Sequence, residues 1–132
     1  MLPEDVLDLA RQVFTAARAG DASSLARYLD AGGPVDLRNE KGDSLLMLAS
    51  YHGHLDAARL LLERGADPDG LNDRGQTPLA GAAFRGDQAM AELLLDHGAA
   101  VNAVLPGGKT ALDFAVMFHR EPLIELLRSR SC

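Results

Sequence analysis

Four groupings in this 132-residue chain hold side chains that could do chemistry. Pro106-Gly107-Gly108-Lys109-Thr110 ends in the Gly-Lys-Thr of a phosphate-binding loop, where backbone N–H groups and a lysine would cradle phosphoryl oxygens. Such a loop needs a glycine six residues before its lysine, and that position is Ala103. His52 and His54 could supply two imidazoles to a metal ion, but a zinc site gathers three or four ligands and no further His or Cys recurs at this spacing. Asp67 and Asp69 are two neighbouring carboxylates that read as a solvated loop. Cys132 is a lone thiol on a terminus expected to fray, with no Cys-His or Ser-His-Asp spacing to activate a nucleophile. His97 and His119 stand alone and read as surface or capping residues.

The first of these groupings belongs to a longer pattern. Gly108-Lys109-Thr110 lies 33 residues after Gly75-Gln76-Thr77, a segment that needs no phosphate. The same offset relates Gly42, Gly75 and Gly108, and Ala16, Ala49, Ala82 and Ala115. It also relates Leu61, Leu94 and Leu127, Gly20, Gly53 and Gly86, and Gly32, Gly65 and Gly98. Several independent columns at one period indicate an internally repeated architecture, in which each unit is too small to bury its own apolar face and stacking builds the core.

The elements that position these groups follow from helix punctuation. Pro3 to Ala19 reads as a first helix, with Pro3 in the opening turn and Glu4, Asp5 and Asp8 complementing the dipole. Its apolar face is Val6, Leu9, Ala10, Val13, Phe14 and Ala17. A second helix, Ala22 to Asp30, packs back through Leu25, Tyr28 and Leu29. Ser44 caps a short helix from Leu45 to Tyr51, Gly53 turns the chain, and Asp56 to Arg64 forms the next helix before Gly65. Thr77 caps a helix that begins at Pro78, and Asp87 opens its partner, which ends at Gly98. Leu112 to Phe118 and Leu123 to Arg130 make the last pair, with Pro122 at the head of the final helix and His119-Arg120-Glu121 in place of the glycine turn. Gly81 interrupts a helix at about 1 kcal/mol relative to alanine, and the expectation is that the Phe114 ring uses the room it leaves.

The unit therefore reads as a turn, Thr-Pro-Leu, a small helix, a glycine turn, a leucine-rich helix and Gly-Ala-x-Val-Asn, clearest from Asn72 to Ala103. This resembles the ankyrin repeat, and the resemblance covers nearly the whole chain. It implies an all-α solenoid of helix-turn-helix units with hairpin-like β-turn loops, in one domain with units at about 3–37, 38–70, 71–103 and 104–130. The first and last units read as caps: Leu9 stands where later units have glycine, and Arg128 replaces Leu62 and Leu95. The expectation is thus a complete four-unit stack. His54 resembles the His of the family's Gly-His pair, whose imidazole bonds neighbouring backbone.

The resemblance also implies where a partner binds, on the concave face made by turn tips and inner helices. Transferred position by position, that face comprises Glu40, Lys41, Asp43, Tyr51 and His52 from the second unit. The third unit gives Asp73, Arg74, Gln76, Phe84 and Arg85, the fourth gives Lys109, Met117 and Phe118, and the first adds Arg18. Tyr51, Phe84 and Met117 are in register and are expected to form a ladder of large side chains, of types enriched at interfaces. Five cations outnumber three carboxylates there, on a chain of net charge −6, which suits a partner with apolar and acidic groups.

Bulk composition narrows the function classes. The negative charge argues against non-specific binding to nucleic acid or anionic lipid. No apolar run approaches the roughly 18 residues of a membrane span, and the acidic N-terminal segment lacks the features of a secretory signal. One cysteine excludes an internal disulfide framework and suggests a reducing, cytoplasmic setting. Eleven of thirteen basic residues are arginine, which points to a GC-rich bacterial source. The reading is a non-catalytic protein-interaction scaffold without metal or cofactor, monomeric, that regulates or tethers its partner. A self-associating protein that buries the ladder in a homodimer, and a small metal- or ligand-binding protein using His52 and His54, are the two rival readings.

Overall fold

The computed structural model describes residues 3–131, with the side chains of α1 described at Asp8 and from Ala10 onward. The side chains of Glu4, Asp5, Val6 and Leu9, and all of Cys132, lie outside the described residues. Eight helices make up the described chain: α1 (Pro3–Ala19), α2 (Ala22–Asp30), α3 (Leu45–Tyr51), α4 (Leu55–Glu63), α5 (Pro78–Arg85), α6 (Gln88–Asp96), α7 (Ala111–Met117) and α8 (Glu121–Arg130). Among the described residues the only β feature is one isolated antiparallel bridge, Arg38 to Ser44, at a turn. The fold class is therefore all-α, in repeated helix pairs.

Local chemistry fixes most helix starts. Asp21, Ser44, Thr77 and Asp87 each accept a hydrogen bond from the backbone N–H three residues on, the donors being Ser24, Met47, Ala80 and Met90. Each satisfies a first-turn donor that has no intrahelical acceptor. Thr110 and Asp113 form a reciprocal capping box, Asp113 N–H to Thr110 Oγ1 at 3.2 Å and Thr110 N–H to Asp113 Oδ2 at 2.9 Å. That cap draws α7 back to Ala111, one residue before the expected Leu112. Likewise α4 starts at Leu55 rather than Asp56, and α8 at Glu121 with Pro122 inside its first turn. His54 and Arg120 head α4 and α8 without a side-chain cap, because both side chains reach elsewhere.

The chain divides into two compact units, Met1–Asp67 and Pro68–Cys132. In the first, α1 packs on α2 and α3, and α4 packs on α2 and α3. Its core includes Val13, Ala17, Leu25, Tyr28, Leu45, Leu46, Ala49 and Leu61, while Ala10, Phe14 and Leu29 are half-buried. In the second, α5 packs on α6 and α7, and α8 packs on α6 and α7. Leu79, Ala82, Ala83, Met90, Leu94, Ala115, Leu123 and Leu127 fill its core. Burying each leucine contributes about 1.5–3 kcal/mol, so this aliphatic set is committed to holding the helix pairs together. Gly81 is buried in α5, and Phe114 on the neighbouring α7 is half-buried.

Left-handed turns close the pairs. Gly20, Gly53 and Gly86 all have φ between +74° and +78°. At the fourth position of that series stands His119 with φ +57°, the single non-glycine residue at positive φ among those described. Histidine is among the side chains that tolerate this region better than most.

Candidate docking surface

In the first unit, Asn39 builds the turn tip. Its Oδ1 accepts the N–H groups of Lys41 and Asp43 at 2.9 and 3.0 Å, and its own N–H donates to Asp43 O. Glu40 and Lys41 are carried outward and exposed. Asp43 is not. It is only 5 % exposed, so it is corrected from a face residue to an interior one. The turn folds the chain back at residue 43, where the Asp43 N–H donates to Asn39 Oδ1. Tyr51 is half-buried at the end of α3 and meets His52 edge-on, ring centroids 5.8 Å apart. His52 and Arg18 are exposed.

The second unit repeats the turn device. Asn72 is 6 % exposed, and its Oδ1 accepts from Arg74 N–H and Gln76 N–H, both at 3.0 Å. Asp73 and Arg74 are exposed, and Arg74 Nε donates to Gln76 Oε1 at 3.3 Å. The following turn has Leu105 in place of the asparagine, buried, with its N–H donating to Lys109 O at 2.8 Å. Lys109 is exposed, and Thr110 beside it is occupied as a helix cap. The Gly-Lys-Thr run is thus a capped turn.

At the end of α5, Phe84 packs edge-to-face on Phe118, centroids 4.7 Å apart at 83°. Phe84 and Phe118 are each 39 % exposed and Met117 50 %. The ring contact of the second unit is therefore Phe84 with Phe118, while Met117 stands open beside it. Arg85 is exposed.

Two side chains that head outer helices hold these ends in place. His54 Nε2 lies 2.7 Å from Arg18 O, where the Nε2–H tautomer donates. Arg120 donates to Phe84 O from Nε and Nη2, at 3.2 and 3.0 Å. The two joints span the same interval of 36 residues and are built from different side chains. Glycine makes room for each: a Cβ on Gly20 would lie 2.5 Å from the His54 ring, and one on Gly86 would lie 2.9 Å from Arg120 Cδ. His54 is a backbone-bonding residue, as the resemblance implied. Among the described residues no three His, Cys, Asp or Glu side chains gather as a metal site.

Of the expected solvated pair, Asp67 is exposed and takes part through its backbone N–H, whereas the half-buried Asp69 uses its carboxylate structurally. Asp36 Oδ1 accepts Asp67 N–H at 3.0 Å, and Asp69 Oδ1 accepts Ala100 N–H at 2.8 Å. Arg64 pairs with Asp30 at 2.9 Å, and Arg130 with Asp96 at 2.8 Å. These pairs went unnoticed in the sequence, although Asp36 and Asp69, Asn39 and Asn72, and Arg64 and Arg130 all keep the repeat register. An open groove of about 570 Å³ lies along α6 and α8, lined by Gln88, Glu121, Pro122, Glu125, Leu126 and Ser129.

Comparison with known proteins agrees with this geometry. A family model described as ankyrin repeats, three copies, matches residues 13–104 and again 64–132. An ankyrin repeat protein of Pseudomonas aeruginosa is 56 % identical over 59 residues, covering 45 % of this chain and 34 % of that protein. The human ankyrin repeat domain-containing protein 29 is 44 % identical over 55 residues, covering 41 % of this chain and 18 % of the relative. The chain thus spans about a third or less of the length of these relatives.

Proposed function

The chain belongs to the ankyrin-repeat family, whose repeats are in general protein-interaction modules without catalysis, and from this premise we propose a non-catalytic scaffold that docks a partner protein. The surface would be the turn tips and inner-helix ends described above, in each unit: Arg18, Glu40, Lys41, Tyr51 and His52 in the first, and Asp73, Arg74, Gln76, Phe84, Arg85, Lys109, Met117 and Phe118 in the second. The carrying observation is that His54 and Thr110, from two of the groups with chemistry-like spacing, are engaged in the scaffold, while Phe84, Met117 and Phe118 stand exposed. A preformed surface loses little conformational entropy on docking, and that is the mechanism proposed for binding. Regulation or inhibition would follow from covering part of the partner's surface.

No helix among the described residues is long and apolar enough to cross a membrane. We place the protein in a bacterial cytoplasm, a reading supported by its single cysteine, its arginine bias and its likeness to the Pseudomonas protein. The test is affinity capture from source-cell lysate with the intact chain and with a Tyr51→Ala, Phe84→Ala, Arg85→Ala variant of unchanged helicity. A partner held by the first and released by the second supports the reading. A partner held equally by both moves the docking surface elsewhere.

A further inference from the structure

We infer that Asp69–Gly70 in the second unit is a site of backbone isomerisation, where the aspartyl peptide rearranges to its isoaspartyl form, and that the bond from Ala100 N–H to the Asp69 carboxylate holds it unreacted in the folded chain. The modification is intrinsic to the chain and independent of any docked partner.

The reactive pair comes from the sequence. Asp69 is the single aspartate of the chain that precedes a glycine, and no asparagine does. Gly70 has no Cβ to hinder its nitrogen, and its backbone reaches conformations closed to other residues. That nitrogen can attack Cγ of Asp69. A new N–Cγ bond closes a five-membered succinimide, and the carboxyl hydroxyl leaves with the amide proton as water. Water then adds back to one of the two ring carbonyls. Opening at Cγ regenerates aspartate. Opening at the former main-chain carbonyl leaves the chain running through Cβ, with a free α-carboxylate. Nothing is oxidised or reduced, and the final mass is unchanged.

The first unit supplies an internal comparison. Asp36 is the register mate of Asp69, and its Oδ1 accepts Asp67 N–H at 3.0 Å, as Asp69 Oδ1 accepts Ala100 N–H at 2.8 Å. Leu37 follows Asp36, so a bulky side chain crowds the nitrogen that would attack there. The two positions share a hydrogen bond and differ in the neighbour that makes reaction possible.

The fold restrains the site. Asp69 is half-buried, and its carboxylate is held by a residue 31 positions further on. Cyclisation needs Cγ to swing onto the Gly70 nitrogen, and that movement gives up the bond to Ala100. Reaction therefore proceeds from locally opened chains, at a rate set by the open fraction. The isoaspartyl linkage adds a methylene to the main chain shortly before Asn72, whose side chain holds the next turn. It also displaces the acceptor of Ala100 N–H, so a rearranged chain does not regain the native bond.

The test incubates the intact chain at neutral pH, folded and in denaturing urea, and follows the tryptic peptide Gly65–Arg74 by chromatography, with fragmentation to locate the β-linkage. The expected result is an equal-mass isomer at Asp69 that forms about tenfold or more slowly in the folded chain than in urea. The peptide Tyr28–Arg38, which carries Asp36, should lag far behind in urea. Ala100→Pro, which removes the N–H, should speed the folded reaction at unchanged circular dichroism. Absence of the isomer in urea, or equal reaction at Asp36, would overturn the site. Equal rates in the folded and denatured parent would overturn the restraint, as would a folded Ala100→Pro variant that reacts no faster than the parent.

Discussion

Asn72 shows how the polar residues of this chain are used. It is almost fully buried, and one side-chain oxygen holds two backbone N–H groups of its turn. Asn72→Ala would release both, and an orphaned donor costs about 1–3 kcal/mol; urea denaturation should show a loss of that order. Asp21 is a second case. Hydrogen bonds from the Ser24 hydroxyl, and then from the Ser24 N–H, hold its carboxyl below the ordinary carboxylate value. A depressed folded value means that stabilisation is present at neutral pH, above the unfolded value, and is lost as pH falls through the folded value. The urea midpoints of the parent and Asp21→Ala should therefore differ at neutral pH and converge in acid. A gap that stays constant would show that ionised Asp21 is not the source.

Helix pairs depend on joints as much as on leucines. Arg120 in the second unit does what His54 does in the first, through different chemistry at the same place. Arg120→Ala should lower stability by about 1–2 kcal/mol, in line with hydrogen bonds from charged donors that keep some solvent access. Arg120→His should restore part of the loss, since histidine is sufficient in the other unit. Within α5, Gly81 is buried, so Gly81→Leu should lower the melting temperature through overpacking of about 1–3 kcal/mol; a raised melting temperature would mean that the position is open.

At this scale the sequence was most readable. Period, caps and glycine turns were all local signals, and they gave helix boundaries to within a residue or two. The joints were not legible, because the side chains of His54 and Arg120 reach residues 36 positions away in the chain. Register could have exposed Asp36 and Asp69, whose bonds run 31 residues forward. Asp43 misled for a related reason: its charge suggested a turn tip, whereas the asparagine-held turn places it inside.

For the molecule as a whole, the sequence supplied the family and the structure supplied the arrangement of side chains on each unit. Which candidate residues stand open depends on tertiary packing, and a one-dimensional register treats Tyr51, Phe84 and Met117 as equals. They differ: Tyr51 is half-buried against His52, Phe84 is paired with Phe118, and Met117 is half exposed. The central claim is that a partner protein docks on the inner-helix ends and turn tips. The most direct measurement is amide hydrogen exchange of the intact chain, free and saturated with the protein it captures from source-cell lysate. The account predicts slowed exchange at the turns and inner-helix ends, strongest at Phe84 to Gly86 and Met117 to Arg120. Slowed exchange confined to the outer helices α2, α4, α6 and α8, with those segments unchanged, would contradict it.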